Sequence, residues 1–228
     1  MRALCHTECV TEIYLEIGKR RVFACALDWP GWCRAARTED AALSALVAAA
    51  ERYAPVCALA GLSFDPAAAS ARLEVAERVT GSATTDFGAL DVPAGIDGEP
   101  LTANDAARIA ALTEAAWLTF RRVAGEAPAD LRKGPRGGGR DLDEIVDHVL
   151  QTEVLHARML GLRHRPFPSG DQAAADRVRA GVVAAILSGL TPAEPPEGAG
   201  RGRRPAPFVA RRSAWHALDH AWEIQDRS

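Results

Sequence analysis

The spacing of the hydrophobic residues changes part-way along this chain, and that change constrains the fold more than any other feature. Between residues 12 and 36 apolar and polar residues alternate, as they do in half-buried β-strands. Beyond about residue 100 the apolar residues recur every three or four positions, as on one face of an α-helix. The chain, which is 228 residues long, is therefore predicted to fold as two domains of different class, an α+β protein overall.

The first half predicts a small β-β-β-α-β sheet domain over residues 1–92. Its early strand-like alternation is interrupted by Pro30-Gly31, a pair typical of tight turns, before a short third strand. Thr38 precedes an apolar helical stretch and suits the N-cap position of that helix. Alternation resumes over residues 72–79, which we expect to form the fourth strand.

The second half predicts helices joined by flexible connections. Residues 93–100 are rich in proline and glycine and are the expected linker. Residues 101–228 then carry four amphipathic segments separated by connections rich in proline, glycine and arginine. Four helices of about 16–23 residues favour an antiparallel four-helix bundle, whose interior can hold a metal ion.

Composition limits the location and the partners of the protein. The formal net charge is −3, so no overall attraction to nucleic acid or to anionic membranes is expected. No segment approaches the ~20 apolar residues of a membrane span, and the first residues lack the apolar core of a signal peptide. The five cysteines are odd in number and all precede residue 58, which favours reduced thiols. We therefore expect a cytoplasmic protein that acts on a small molecule, and the sequence leaves a homodimer open.

Two histidines, His216 and His220, lie one helical turn apart near the C-terminus. An i,i+4 spacing places both imidazole rings side by side on one helix face, which is how a helix offers two nitrogen ligands to one metal ion. The alternative is an ordinary pair of histidines whose ring nitrogens bond to Asp219 or Glu223. Two imidazoles bind a metal weakly, so a third ligand from another helix is needed.

His148 on the second predicted helix is the best candidate for that third ligand, since it is spaced helically with the apolar residues around it. His156 competes with it, because Glu153 and His156 form a Glu-x-x-His arrangement of the kind found in dinuclear carboxylate bundles. Those sites need a second such motif, and none is evident. Three imidazoles leave a coordination position open for water or substrate, as in catalytic sites. Zinc fits three imidazoles well, with nickel, iron or manganese as alternatives.

Other charged residues are candidates for roles around this site. Glu153 is expected to accept a hydrogen bond from a ligand or to act as a general base, with an ordinary salt bridge as the alternative. Arg136 and Arg140 belong to a glycine-rich loop before the second helix, and Arg212 to a basic cluster at the fourth. Glycines and arginines before a helix N-terminus predict an anion-binding site, with a solvated basic loop as the alternative. No aromatic residues are interleaved there, so nucleic acid is not a favoured partner.

The second half resembles the DinB/YfiT superfamily of metal-binding four-helix bundles. The resemblance covers residues 100–228 and rests on the residues around His148, with Glu153 downstream, and on the Trp215-to-His220 stretch. It implies a DinB-type bundle whose ligands are one histidine on helix two and a His-x-x-x-His pair on helix four, here His148, His216 and His220. It also implies a metal-dependent thiol transferase or isomerase that uses a low-molecular-weight thiol such as mycothiol. The alternatives are a metal-assisted hydrolase and a non-catalytic metal-binding scaffold protein.

The first half resembles the HicB-like sheet domain. The matching features are the strand that ends at Pro30-Gly31, the short strand after it and the helix that Thr38 opens. Many domains of this kind act as antitoxins beside a separate DNA-binding module. Nothing in this chain resembles that module, so the likeness implies a fold and no role.

Overall fold

The protein is a mixed α and β structure in two compact units, which confirms the predicted fold class at that level. The computed structural model describes residues 10–133, 139–168, 170–189 and 203–228. The units comprise Met1–Val92, called the sheet unit below, and Pro93–Ser228, called the helical unit.

Four strands form the mixed sheet of the sheet unit: β1 (Thr11–Ile17), β2 (Val22–Ala26), β3 (Cys33–Ala36) and β4 (Leu73–Thr80). Their order across the sheet is β3-β2-β1-β4. β1 pairs antiparallel with β2 and parallel with β4. A parallel neighbour requires a crossover connection, which the helices between β3 and β4 supply.

Three helices lie between β3 and β4 where the sequence predicted one: α1 (Glu39–Ala48), α2 (Ala50–Leu59) and α3 (Pro66–Ala71). The axes of α1 and α2 differ by 52° at a break of one residue. The apolar periodicity did not reveal this break, because the helical spacing of the buried residues continues from α1 into α2. A short helix, α4 (Ala83–Phe87), follows β4. By length and apolar content, no single helix in the described part of the chain is able to cross a membrane; only α1 and α2 together meet those criteria.

The predicted Pro-Gly turn is held by buried side chains. Gly31 has a φ of 96°, a left-handed conformation that glycine adopts without steric cost. Tyr53 on α2 donates its hydroxyl hydrogen to the carbonyl oxygen of Pro30 at 2.8 Å. The indole Nε1 of Trp32 donates to the carbonyl oxygen of Leu46 on α1, also at 2.8 Å. Because both rings are buried, these bonds fix α1 and α2 against the turn.

The helical unit contains the four long helices that the periodicity predicts: α5 (Ala103–Glu126), α6 (Leu142–Met159), α7 (Gln172–Leu187) and α8 (Ala206–Arg227). α5 and α6 each pack against both α7 and α8, so that the four helices surround one core. The α6–α8 contact positions the candidate site.

The segment predicted as a linker, residues 93–100, is instead an ordered part of the helical unit. It contains a short 3-10 helix, Gly95–Gly98. Within it, the buried carboxylate of Asp97 accepts a hydrogen bond from the backbone N–H of Ala94 at 2.9 Å and forms an ion pair with Arg211 of α8. Proline and glycine content indicated a flexible connection, and it did not reveal a buried ion pair made to a residue more than 100 positions away.

Candidate metal centre

Three histidines from two helices meet at the α6–α8 contact. His148 lies on α6, and His216 and His220 lie one turn apart on α8. The ring centroids of His148 are 5.0 Å from those of both His216 and His220, and the His216 and His220 centroids are 4.7 Å apart. One nitrogen atom of each ring lies within 4.8 Å of the others, so three imidazole nitrogens converge on one point.

The spacing of two of these nitrogens fits a first-row divalent ion. The Nε2 atoms of His148 and His216 are 3.1 Å apart. Two ligands at Zn–N distances of ~2.0–2.1 Å in tetrahedral geometry are separated by roughly 3.3 Å. An ion therefore needs little movement of these two rings. The donor set of three imidazoles suits zinc and its neighbours in the transition series.

The third histidine is oriented by an acidic partner. The Nδ1 atom of His220 lies 2.9 Å from Oε2 of Glu223, and Arg227 donates to the other oxygen of that carboxylate at 2.7 Å. A carboxylate acceptor at Nδ1 assigns the proton of the neutral ring to Nδ1 and leaves Nε2 unprotonated. The sequence raised Glu223 as the partner that would make a metal unnecessary. In the structure the Glu223 carboxylate engages the Nδ1 atom of His220, so Nε2 is the nitrogen of that ring that remains for a metal ion.

Burial favours the neutral form of two of the clustered rings, those of His148 and His216. Burial lowers the pKa of His148 below its ordinary value, and the charges of His220 and Arg140 add to the effect. Burial also lowers the pKa of His216 well below its ordinary value, with His156 as the next contributor. Metal binding requires the neutral form of a histidine, so these shifts favour it.

His156, the competing candidate, lies next to the cluster but is not part of it. Its ring centroid is 5.8 Å from that of His216. Its Nδ1 atom is 3.0 Å from the hydroxyl oxygen of Ser213, and its Nε2 atom accepts a hydrogen bond from Nε of Arg212 at 3.3 Å. Burial lowers the pKa of His156 to about 3. Because both ring nitrogens have protein partners, His156 is a neutral core residue in this arrangement.

Glu153 lies elsewhere, which corrects the expectation that it serves as a base or hydrogen-bond acceptor at the site. Both of its carboxylate oxygens accept hydrogen bonds from Arg179 of α7, each at 2.9 Å, and both side chains are buried. Five residues after His148, Glu153 is rotated by about 140° around the helix. That rotation carries its carboxylate toward α7 and away from the histidines on α8.

The three arginines predicted to bind an anion do not form one described site. Arg212 uses its Nε to support His156. Arg140 is exposed just before α6, and its positive charge helps to lower the pKa of His148. Arg136 lies outside the described residues. The structure therefore shows a contact of Arg212 with a histidine, and the anion-binding role of the three arginines stays a prediction.

Sequence reasoning missed two features, the support of Glu223 by Arg227 and the role of Ser213 as a partner of His156. The first has a signal, because Glu223 and Arg227 are spaced i,i+4 on one helix. The second contact joins Ser213 of α8 to His156 of α6, and no local spacing in the sequence predicts it.

Comparisons with protein-family models, with curated proteins and with solved structures found no match to this chain. The likenesses to DinB/YfiT and HicB-like proteins therefore stay predictions from the sequence, and function has to be argued from the geometry of the site.

Proposed function

We propose that this protein binds one divalent metal ion through His148, His216 and His220 and uses it for thiol-dependent transferase or isomerase chemistry on a small molecule. The observation that carries the metal part is the convergence of three imidazole nitrogens from two helices within 4.8 Å. His156 differs from them, because its ring nitrogens meet Ser213 and Arg212, whereas the Nε2 atoms of His148 and His216 lie within hydrogen-bond distance of each other.

Three ligands favour a catalytic site over a structural one. Structural zinc sites are closed by four protein ligands, whereas catalytic sites keep a position for water or substrate. Among the residues that the structure describes, no cysteine, aspartate, glutamate or further histidine joins the three. His148 and His220 are half-buried, so solvent reaches the site beside them.

Each residue of the site has a defined part in this proposal. The three rings hold the ion, and the Glu223 carboxylate fixes the tautomer of His220 and makes its Nε2 a better donor. The burial of His216 keeps its ring neutral. When bound, a divalent ion supplies Lewis acidity, which lowers the pKa of a thiol or water ligand. Zinc is the proposed ion, with nickel, iron and manganese as alternatives.

The thiol part of the proposal has a different basis. It rests on the resemblance of residues 100–228 to the DinB/YfiT superfamily, which also suggests that the helical unit is a DinB-type bundle and that the thiol is of the mycothiol kind. The metal part rests on the positions of the histidines. The two parts therefore fail independently, and an experiment has to report on both.

The test is a thiol-conjugation assay in which the metal content of each sample is also measured. Mycothiol and glutathione are offered with an electrophilic aromatic acceptor to the purified protein, to the protein treated with chelator, and to the treated protein after zinc is added back. The proposal predicts turnover that chelator abolishes and zinc restores, and that is absent in His216→Ala.

The matched control is Asp219→Asn, since Asp219 is an exposed residue between the two α8 histidines in sequence. It is expected to retain turnover. Turnover that survives in chelator contradicts the metal-dependent mechanism. Metal binding with no turnover of either thiol contradicts the catalytic part and favours the non-catalytic metal-binding protein.

A further inference from the structure

A second region of the helical unit has the features of a ligand site. The connection between α6 and α7, together with the first turns of α7, lines a cavity of about 350 Å³ that is open to solvent. None of its lining residues belongs to the histidine cluster. Small-molecule sites have volumes of ~300–1,000 Å³, so this cavity exceeds what a simple inorganic ion needs.

Three arginines line this cavity: Arg163, Arg165 and Arg177. All three are exposed, and within the described part of the chain their side chains make no hydrogen bond and no ion pair. Arg179, two residues after Arg177, instead pairs with Glu153. The chain has 30 acidic residues against 27 basic ones, so carboxylates are not in short supply. Three unpaired arginines around one cavity therefore need an explanation.

The one acidic side chain in the lining does not neutralise them. Asp171 accepts a hydrogen bond from the backbone N–H of Ala174 at 2.9 Å and so caps the N-terminus of α7. Three positive charges against one negative leave a formal excess of two on the lining, with His164 counted as neutral. The N-terminal end of α7 adds its positive partial charge to the same space. The three arginines and the N-terminal end of α7 therefore stabilise an anion that enters the cavity.

Two buried apolar side chains contribute to the mostly polar lining of the cavity, and the loop beside it is anchored. Phe167 and Val178, which both line the cavity, are 9% and 1% exposed. Gln151 on α6 donates from its side-chain amide to the carbonyl oxygen of Phe167 at 3.0 Å and so fastens the loop to the helix. A ligand with both an anionic group and an apolar body matches this combination.

We propose that this cavity binds a phosphorylated small molecule through its phosphoryl group, independently of the metal centre. A carboxylate is a planar monoanion that a single guanidinium binds in two-pronged fashion. A phosphoryl group carries close to two charges and presents three oxygens in different directions. Guanidinium groups from Arg163, Arg165 and Arg177 supply the matching charge and donors from two separate segments of the chain.

The test is calorimetric titration of the full-length protein with phenyl phosphate and, separately, with phenylacetate at the same ionic strength. The two probes share an aromatic ring and differ in the anionic group. Phenyl phosphate is expected to bind with one site per chain and phenylacetate roughly tenfold more weakly or worse, because fewer charge-assisted hydrogen bonds form. Equal affinities would overturn the phosphoryl assignment, and no measurable binding of phenyl phosphate would overturn the site.

Two matched triple variants locate the binding. Arg163→Ser/Arg165→Ser/Arg177→Ser is expected to weaken phenyl phosphate binding by about tenfold or more, since each lost guanidinium removes charge-assisted bonds. Arg20→Ser/Arg37→Ser/Arg122→Ser makes the same change in net charge at exposed positions outside the cavity and is expected to bind like the unchanged protein.

Equal loss in both triple variants would show a non-specific charge effect and overturn the proposal. Binding is also expected to persist in His216→Ala, and its loss there would place the phosphoryl group at the metal centre instead. Circular dichroism verifies that each variant is folded, which is expected of the two arginine triple variants because all the substituted side chains are exposed.

Discussion

The α6–α8 contact holds its histidines in two different ways. At His156 both ring nitrogens have protein partners, Ser213 and Arg212. His216 lies about one turn after Arg212 on α8, and its Nε2 atom is 3.1 Å from the Nε2 atom of His148 on α6. This difference between the partners of the ring nitrogens is the reason for proposing His148 and His216, and not His156, as metal ligands.

The largest expected effect tests this contrast by metal-linked stability. Zinc at about a thousandfold excess over its dissociation constant is expected to raise the free energy of unfolding by about 4 kcal/mol, because it binds only the folded chain. The increase is expected to vanish in His216→Ala and to persist in His156→Gln. Urea unfolding with and without zinc measures both.

Ser213→Ala serves as a second control, since it removes a partner of His156 and leaves both rings in place. An increase retained in His216→Ala, or lost in both His156→Gln and Ser213→Ala, would contradict the division between the two groups of histidines.

The second effect concerns the cost of leaving His156 without its partner. Ser213 is 2% exposed, so Ser213→Ala leaves a buried ring nitrogen unsatisfied. We expect a loss of about 1–3 kcal/mol in the free energy of unfolding, measured in urea in the presence of chelator. Ser44→Ala, on an exposed face of α1, is the control and is expected to change little. Equal stability of the two variants would show that the Ser213 hydroxyl does not support the ring.

The third effect concerns the acidic partner of His220. Glu223→Gln is expected to weaken zinc binding by roughly 10–100-fold, because the carboxylate no longer orients the ring or raises its basicity. Asp219→Asn, on the same helix, is the control and is expected to retain the affinity. Competition with a chelating dye measures both constants. Matching affinities for the two variants would rule out the role given to Glu223.

The last effect, which is small for each pH unit, is a change in the pH dependence of stability. The pKa of His156 is about 3 in the folded chain, against an ordinary value of 6.5. Between these values the unfolded chain binds a proton that the folded chain does not, so the free energy of unfolding falls as the pH decreases, by up to ~1.4 kcal/mol per pH unit. His156→Gln removes this contribution, and its curve is expected to be flatter below pH 6.5.

Unfolding titrations from neutral to acidic pH, with chelator present so that metal-linked protons do not contribute, compare the two slopes. Parallel curves would mean that His156 is not held neutral by burial.

Local spacing explains which parts of this structure the sequence could predict. The i,i+4 pair His216 and His220 follows from helix geometry alone, and the change from alternating to helical periodicity predicted the mixed α+β class. The choice of His148 as a neighbour of His216 and His220 depended on its helical spacing with apolar residues on another predicted helix, and the structure places it beside the pair.

The rest depends on how helices rotate against one another. Glu153 is five residues from His148, and only the packing of α6 decides that its carboxylate meets Arg179 of α7. Asp97 was hidden for the same reason, since its partner Arg211 is distant in sequence. The proline and glycine content of residues 93–100, which include Asp97, is typical of a linker. Contacts between distant residues leave no periodic trace in a single sequence.

The metal-to-protein ratio tests the central claim most directly. The unchanged protein, purified without chelator and loaded with zinc, is dialysed and analysed by mass spectrometry of the elements beside the triple variant His148→Ala/His216→Ala/His220→Ala. The three converging imidazoles predict close to one zinc ion per chain in the first protein and none in the variant. Equal zinc content in the two proteins would show that these histidines do not form the site.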